Sequence, residues 1–345
     1  MNPSVKGTTR PADSPDALRS AAGQAWAIVL AGGEGVRLRS LVQKFFGDDR
    51  PKQFVPLMGE ASLFRQTLQR IALLIPLERI VVVTQAHHAG YISRDLADLP
   101  GSPCVLFQPA DRGTGTAVLF AAHWIHQRDP HATIGVFPAD HFIRDEAIFM
   151  AHTAELIAFV RRHPERLVLL GARATEPDPD YGWIKPGERL GESADGPIYR
   201  VHSFWEKPSL GLARACLAGD WLWNTFVFVT PLPTLLYLGR TMLPNIDERL
   251  ARIGAFAGTE HEAWAIRQAF GLVPTWDFSR SVLQECPPCL AVSKLPPIAW
   301  SDLGTPKRVL QVVGGLPTRP AWVNSVRRAA SALTSPGSTA EALTG

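Results

Sequence analysis

Short, continuous apolar runs alternating with longer stretches of helical period dominate the first half of the chain. Ile28-Val-Leu30, Arg79-Ile-Val-Val-Val-Thr84, Pro103 to Gln108, Thr133 to Pro138 and Leu167 to Gly171 have the length and β-branched content of strands buried on both faces. Between them, Ser62 to Leu74 places Leu63, Phe64, Thr67, Leu68 and Ile71 on one helical face, and Ala117 to Gln127 and Glu146 to His163 follow the same period. Residues 39 to 50 predict a short helix and a loop. Strands alternating with helices of this length predict β-α-β units and a mostly parallel sheet.

From Thr175 the pattern changes. Asp178 to Gly187, Tyr199 to Pro208 and Trp223 to Thr230 predict strands of a sheet extension, Ile246 to Phe270 a largely helical segment, and Leu290 to Leu295 a further strand. Met1 to residue 24 predicts a disordered lead without the apolar core of a secretory signal. Residues 317 to 345, rich in Pro, Ser, Thr and Ala, predict a weakly ordered tail with a short helix near Ser325 to Leu333. The expected unit is one domain over 25–316, with no internal repeat.

In sheets of this type ligands gather beyond the carboxyl ends of the strands. Gly32, Gly33 and Gly35 follow the first strand, and their backbone N–H groups can approach an anion closely. Arg37 then adds a fixed charge. The spacing reads as a phosphate cradle, with a plain tight turn and a solvent arginine as the alternative. A dinucleotide fingerprint would need a third glycine where Leu38 stands, and no Gly-Lys-Ser/Thr closes a P-loop.

Composition narrows the classes. The 345 residues carry a net charge of +3, 46% hydrophobic and 19% charged residues, which fits a soluble globular protein. No basic run marks nucleic acid as a partner, and no stretch approaches a membrane span. The four cysteines are too sparse for a disulfide scaffold, which favours a cytoplasmic setting. Cys286-Pro-Pro-Cys289 lacks the further ligands of a zinc site, and His123, His126 and His141 show no metal-ligand spacing.

Leu30-Ala-Gly-Gly-Glu-Gly-Val-Arg-Leu38, Arg50-Pro-Lys-Gln-Phe54, Phe137-Pro-Ala-Asp-His141, Tyr181-Gly-Trp-Ile184, Phe204-Trp-Glu-Lys-Pro208, Trp223-Asn-Thr225 and Trp300-Ser-Asp-Leu-Gly304 occur in this order. Together they resemble the sugar-phosphate nucleotidyltransferases, and within them the mannose-1-phosphate guanylyltransferases. The resemblance implies a Rossmann-like, GT-A-like α/β fold: a mostly parallel mixed sheet flanked by helices, with a sugar-binding β extension. It implies GTP and mannose 1-phosphate as substrates, Mg²⁺ as cofactor, and neither nucleic acid nor membrane as partner; a homo-oligomer stays possible. In that reaction a sugar 1-phosphate oxygen attacks the α-phosphorus and pyrophosphate leaves. A phosphate nucleophile is already anionic, so it needs charge neutralisation and positioning, not a base.

The resemblance assigns residues as well. Arg37, Lys52, Asp140 and Lys207 are the candidate catalytic set. Leu30, Ala31, Gly32, Gly33, Gly35, Gln108, Arg112, Gly113, Thr114 and Asp140 are candidates for the nucleotide. Gly182, Glu206, Lys207 and Asn224 are candidates for the sugar phosphate, and Asp140 and Asp302 for the metal, since hard carboxylate oxygens suit Mg²⁺. Without the resemblance, Lys52 also reads as a solvated loop lysine, and Asp140 and Asp302 as turn or cap residues. Trp205, Trp221 and Trp223 read as core or as sugar-stacking platforms and stay unassigned.

Departures from the family pattern fall in three places. In the base loop Gln108 stands for Glu, Gly113 for Asn and Gly115-Thr116 for Ala-Pro. A carboxylate would accept from guanine, whereas glutamine also donates. The loop from Arg37 to Arg50 is longer, and Phe226 stands where glycine is frequent. Another hexose 1-phosphate or base, or a non-catalytic nucleotide-sugar sensor of the same fold, are the rival readings. A sensor would be expected to lose charged phosphate or metal residues, and this chain keeps them.

Overall fold

The computed structural model describes residues 23–323. The strands are β1 (Ala25–Leu30), β2 (Ile80–Gln85), β3 (Cys104–Gln108), β4 (Thr133–Pro138), β5 (Phe142–Ile143), β6 (Leu167–Arg173), β7 (Gly182–Ser193), β8 (Gly196–Glu206), β9 (Leu222–Pro231), β10 (Leu290–Lys294) and β11 (Trp300–Ser301). Nine of them form one mixed sheet in the order β3-β2-β1-β4-β9-β6-β10-β8-β7. β3-β2-β1-β4 is parallel, as is β6 with β10, while β9 enters antiparallel to both β4 and β6. β7 and β8 form the predicted extension, and β7 also pairs back onto β9 through Trp183↔Trp223.

The period-2 geometry of a strand splits β1 between two cores. Trp26 and Ile28 point into the cluster under helices Gly113–His126 and Leu232–Met242, with Leu119, Leu235 and Phe270. Ala25, Ala27 and Val29 point the other way, onto helices Leu63–Ile71 and Glu146–Arg162, with Phe64, Leu68 and Ile157. Helices on both faces explain why these strands read as unbroken apolar runs.

Most expected elements lie within a few residues of their observed bounds, and two differences have a clear cause. Helix Gly113–His126 starts four residues before the expected Ala117, because Trp276 O accepts from Gly115 N at 3.0 Å and so satisfies a first-turn donor. The helical stretch after Ile246 divides into Pro244–Ile253 and Glu262–Leu272, parted at Gly258 with φ 75°. Helices Arg39–Phe46, within the expected short helix and loop of residues 39 to 50, Ala89–Leu96, Leu210–Ala218 and Pro306–Gly314 complete the set.

The packed unit continues past residue 316. Trp322 is buried against Phe45 and Phe46, at ring distances of 5.4 and 6.1 Å, and its Nε1 donates to Leu57 O at 3.0 Å. Residues 1–22 of the expected lead and the expected short helix near Ser325 to Leu333 lie outside the described residues. No helix among the described residues is long and apolar enough to cross a membrane. Trp322→Ala is expected to cost about 3 kcal/mol, the usual cost of emptying a buried aromatic site. Urea unfolding with an unchanged m-value checks it.

Candidate functional site

The glycine loop is built by its neighbours. Gln53 Nε2 donates to Ala31 O at 2.9 Å and to Gly33 O at 2.7 Å, and Thr84 Oγ1 donates to Ala31 O at 3.0 Å. Ala139 N donates to Leu30 O at 3.1 Å, which ties the loop to the end of β4. Gly35 takes φ 58°, and a Cβ there would lie 2.8 Å from Lys52 N. That close approach, not sequence proximity, requires glycine at 35.

Lys52 is 6% exposed, so the solvated-loop reading fails. Its Nζ lies 2.8 Å from Asp140 Oδ2 and donates to Asp302 O at 2.5 Å. The two aspartates meet because β5 and β11 form a two-stranded sheet, pairing Phe142 with Ser301 and Ile143 with Trp300.

Asp302 is held by a network that sequence reasoning missed. Oδ1 accepts from Tyr181 OH at 2.8 Å and from Gly304 N at 3.1 Å, and Arg308 Nη1 donates to both carboxylate oxygens, at 3.1 and 2.9 Å. Arg308 is itself buried, also pairs with Asp178, and lies 4.2 Å over the Tyr181 ring. Burial pushes the Asp302 carboxyl up, but Arg308, His141, Lys52 and the Tyr181 hydroxyl together hold it below the usual carboxylate range. His141 shares this corner. Burial pushes its imidazole down to about 4 against the pull of Asp140, so it is neutral at ordinary pH.

One cavity of about 560 Å³ joins these groups. Leu30, Gly32, Gly33, Arg37, Lys52, Gln108, Gly113, Thr114, Asp140, Lys207 and Asp302 of the expected residues line it. Gly35 lines an adjoining cavity with Arg37, Lys52 and Asp140. Arg37 is half exposed and its Nη1 is 2.7 Å from Asp180 Oδ2.

At the base end, Gln85 Nε2 donates to Gln108 Oε1 at 3.2 Å, and the buried Nε2 of Gln108 has no hydrogen-bond partner. Gly113 has φ 79°, and a Cβ there would meet Trp276 O at 2.2 Å. Glycine is therefore the residue this packing accepts. Trp276 N donates to Arg112 O at 3.0 Å and Thr114 Oγ1 accepts from Phe278 N at 2.9 Å. Arg112 turns away from the cavity lining, with its Nε donating to Phe270 O at 2.9 Å. The Thr275-Trp276-Asp277 wall is not legible in the sequence, because it carries no motif and is tied to the 112–115 turn by bonds to distant residues.

At the opposite end Gly182, Glu206 and Asn224 come together from β7, β8 and β9. A Cβ on Gly182 would lie 2.6 Å from Glu206 Oε2 and 3.1 Å from Asn224 Cβ. These three lie beside the principal cavity, which Lys207 and Phe226 line. Burial raises the Glu206 carboxyl, opposed by Lys207, whose Nζ is 3.3 Å away. Lys207 (φ 47°), Phe226 (φ 58°) and Leu303 (φ 49°) all take left-handed backbone next to this site, at a cost of roughly 1–3 kcal/mol each. Trp183 and Trp223 are core residues: Trp223 stacks on Tyr181 and meets Trp183 edge-on.

A glycine loop, a buried lysine and two aspartates lie together at the carboxyl ends of an α/β sheet, where such sheets collect anionic ligands. The Nucleotidyl transferase family profile matches residues 26–317, and the chain belongs to that family. Among relatives, the xanthan biosynthesis protein XanB of Xanthomonas campestris is 31% identical over 290 residues, covering 83% of this chain and 58% of that protein. A mannose-1-phosphate guanylyltransferase of Salmonella muenchen is 26% identical, covering 81% of this chain and 57% of that one. The chain thus spans less than three-fifths of the length of these relatives. A solved structure described as a mannose-1-phosphate geranyltransferase from Thermus thermophilus has a TM-score of 0.70 at 29% identity, covering 82% of this chain and 77% of that one.

Asp302→Asn is expected to destabilise the metal-free protein by about 3 kcal/mol at pH 7, because it leaves buried Arg308 short of a countercharge. A depressed acid stabilises above its unfolded pKa and loses that contribution as pH falls through the folded value. The gap from wild type should therefore narrow below about pH 4, as urea unfolding at several pH values will show.

Proposed function

We propose that this chain is a Mg²⁺-dependent nucleotidyltransferase that makes GDP-mannose and pyrophosphate from GTP and mannose 1-phosphate. The observation that carries the reading is Lys52, buried between Asp140 and Asp302 in one cavity that runs from the glycine loop to Lys207. Family membership and the names of the relatives support the substrates.

The donor set fits Mg²⁺. Asp140 and Asp302 offer carboxylate oxygens in the company of no thiolate, and Mg²⁺ takes one or two carboxylates plus phosphates and water. Asp140, a third exposed, and Asp302 would hold it, and when bound it supplies positive charge to the phosphate oxygens. The glycine loop presents backbone N–H groups to the triphosphate. Arg37 and Lys52 neutralise charge that builds on the leaving pyrophosphate, while Lys207 holds the anionic sugar phosphate. Glu206 and Asn224 accept from sugar hydroxyls beside Gly182, whose missing side chain lets these two side chains pack against the strand. The sugar phosphate oxygen forms the new bond to the α-phosphorus as the bond to pyrophosphate breaks, and no general base is required.

A different base on the same chemistry is the second reading, favoured by the Gln85–Gln108 pair. Gln108 Oε1 is already used by Gln85, which leaves an amide donor where guanine N1 and N2 would want acceptors.

Pyrophosphate release with Mg²⁺, measured across four nucleoside triphosphates and several hexose 1-phosphates, tests both. Turnover is expected with GTP and mannose 1-phosphate, with a roughly thousandfold fall in kcat for Arg37→Ala and no loss of stability. Turnover with another pair only replaces the substrate assignment, and none with any pair favours the sensor. Gln108→Glu is expected to raise preference for GTP by about tenfold, the effect of one well-placed acceptor.

A further inference from the structure

Glu34 lies between Gly33 and Gly35 and faces two histidines from the turn after β2. Its Oε1 is 2.9 Å from His87 Nε2 and 3.5 Å from His88 Nε2, and the three ligand atoms lie within 4.8 Å of one another. His88 is fully buried, and its Nε2 has no hydrogen-bond partner.

The surrounding bonds fix which nitrogen of His88 carries the proton. Thr84 Oγ1 donates its single proton to Ala31 O at 3.0 Å. Its contact with His88 Nδ1 at 3.2 Å therefore needs Nδ1–H as donor. Nε2 is then a bare lone pair, aimed at a carboxylate with nothing between them. Two acceptors so placed repel unless a cation joins them. Phe54, at a ring distance of 5.4 Å, holds the imidazole edge-on and keeps it from turning away.

We propose that Glu34, His87 and His88 form a divalent transition-metal site that ties the phosphate-facing glycine loop to the end of β2. Two imidazoles and one carboxylate with a fourth position open suit Zn²⁺ or Co²⁺, whereas Mg²⁺ prefers oxygen alone. Bonds of about 2.0–2.2 Å at tetrahedral angles put neighbouring ligand atoms about 3.3–3.5 Å apart. The observed 2.9 and 3.5 Å bracket that spacing. Thr84 is the outer partner that orients His88, as metal-binding imidazoles usually require.

The test uses Co²⁺ as the probe, on chelator-stripped full-length protein in excess Mg²⁺, which occupies oxygen-only sites. One equivalent of Co²⁺ should bind at micromolar concentration with the visible absorption of a low-coordinate ion, and Zn²⁺ should displace it. Glu34→Gln and His87→Gln, at exposed side chains, should each weaken binding at least tenfold while circular dichroism stays unchanged. Absence of uptake at micromolar Co²⁺, or uptake equal in wild type and both variants, overturns the proposal. Neither result depends on which nucleotide or sugar the enzyme uses.

Discussion

The arrangement depends on one buried cation. Lys52 enters from the segment after the glycine loop, Asp140 from the end of β4, and Asp302 from the strand after β10, so three distant stretches of chain meet at a single ammonium group. A buried lysine is costly unless paired. Asp140 supplies the countercharge and Asp302 a backbone carbonyl; the β5–β11 pairing brings both in, the glycine at 35 lets the loop pass close, and Arg308 with Tyr181 fixes the Asp302 carboxylate alongside. A substrate phosphate would meet a site where charge is already in place and no dipoles need to reorganise.

Around this centre the backbone is held in conformations that few residues favour. Lys207, Phe226 and Leu303 all have positive φ and all adjoin the site. Phe226 lies where β6 and β9 change register, between the pairs Leu169↔Phe228 and Gly171↔Asn224. The irregularity turns Asn224 toward Gly182 and Phe226 toward the cavity. Phe226 and Lys207 both line the cavity, and the Phe226 ring packs edge-on against Phe228 and Phe278.

Much of this is legible in the sequence because it is local. Parallel strands announce themselves as apolar runs, and Gly32 to Arg37, Arg50 to Phe54 and Tyr181 to Ile184 are short motifs with fixed spacing. What is illegible is long-range. Arg308 looks like any helix arginine until its burial against Asp302 and Asp178 is seen, and Trp276 is brought to the cavity by backbone bonds to Arg112 and Gly115, more than 160 residues away in sequence. Trp322 reads as tail because the surrounding Pro, Ser and Thr outweigh one aromatic, yet it fills a gap between Phe45, Phe46 and Leu57. The Glu34–His87–His88 cluster escapes for the same reason, since Glu34 and His87 are 53 residues apart in sequence.

A crystal structure with Mg²⁺, a non-hydrolysable triphosphate analogue and hexose 1-phosphate tests the central claim most directly. The account predicts Mg²⁺ about 2.1 Å from a carboxylate oxygen of Asp140, Lys52 Nζ within hydrogen-bond distance of a phosphate oxygen, and the sugar phosphate against Lys207. A triphosphate bound away from the glycine loop, with Lys52 still paired to Asp140 and no metal there, would contradict it.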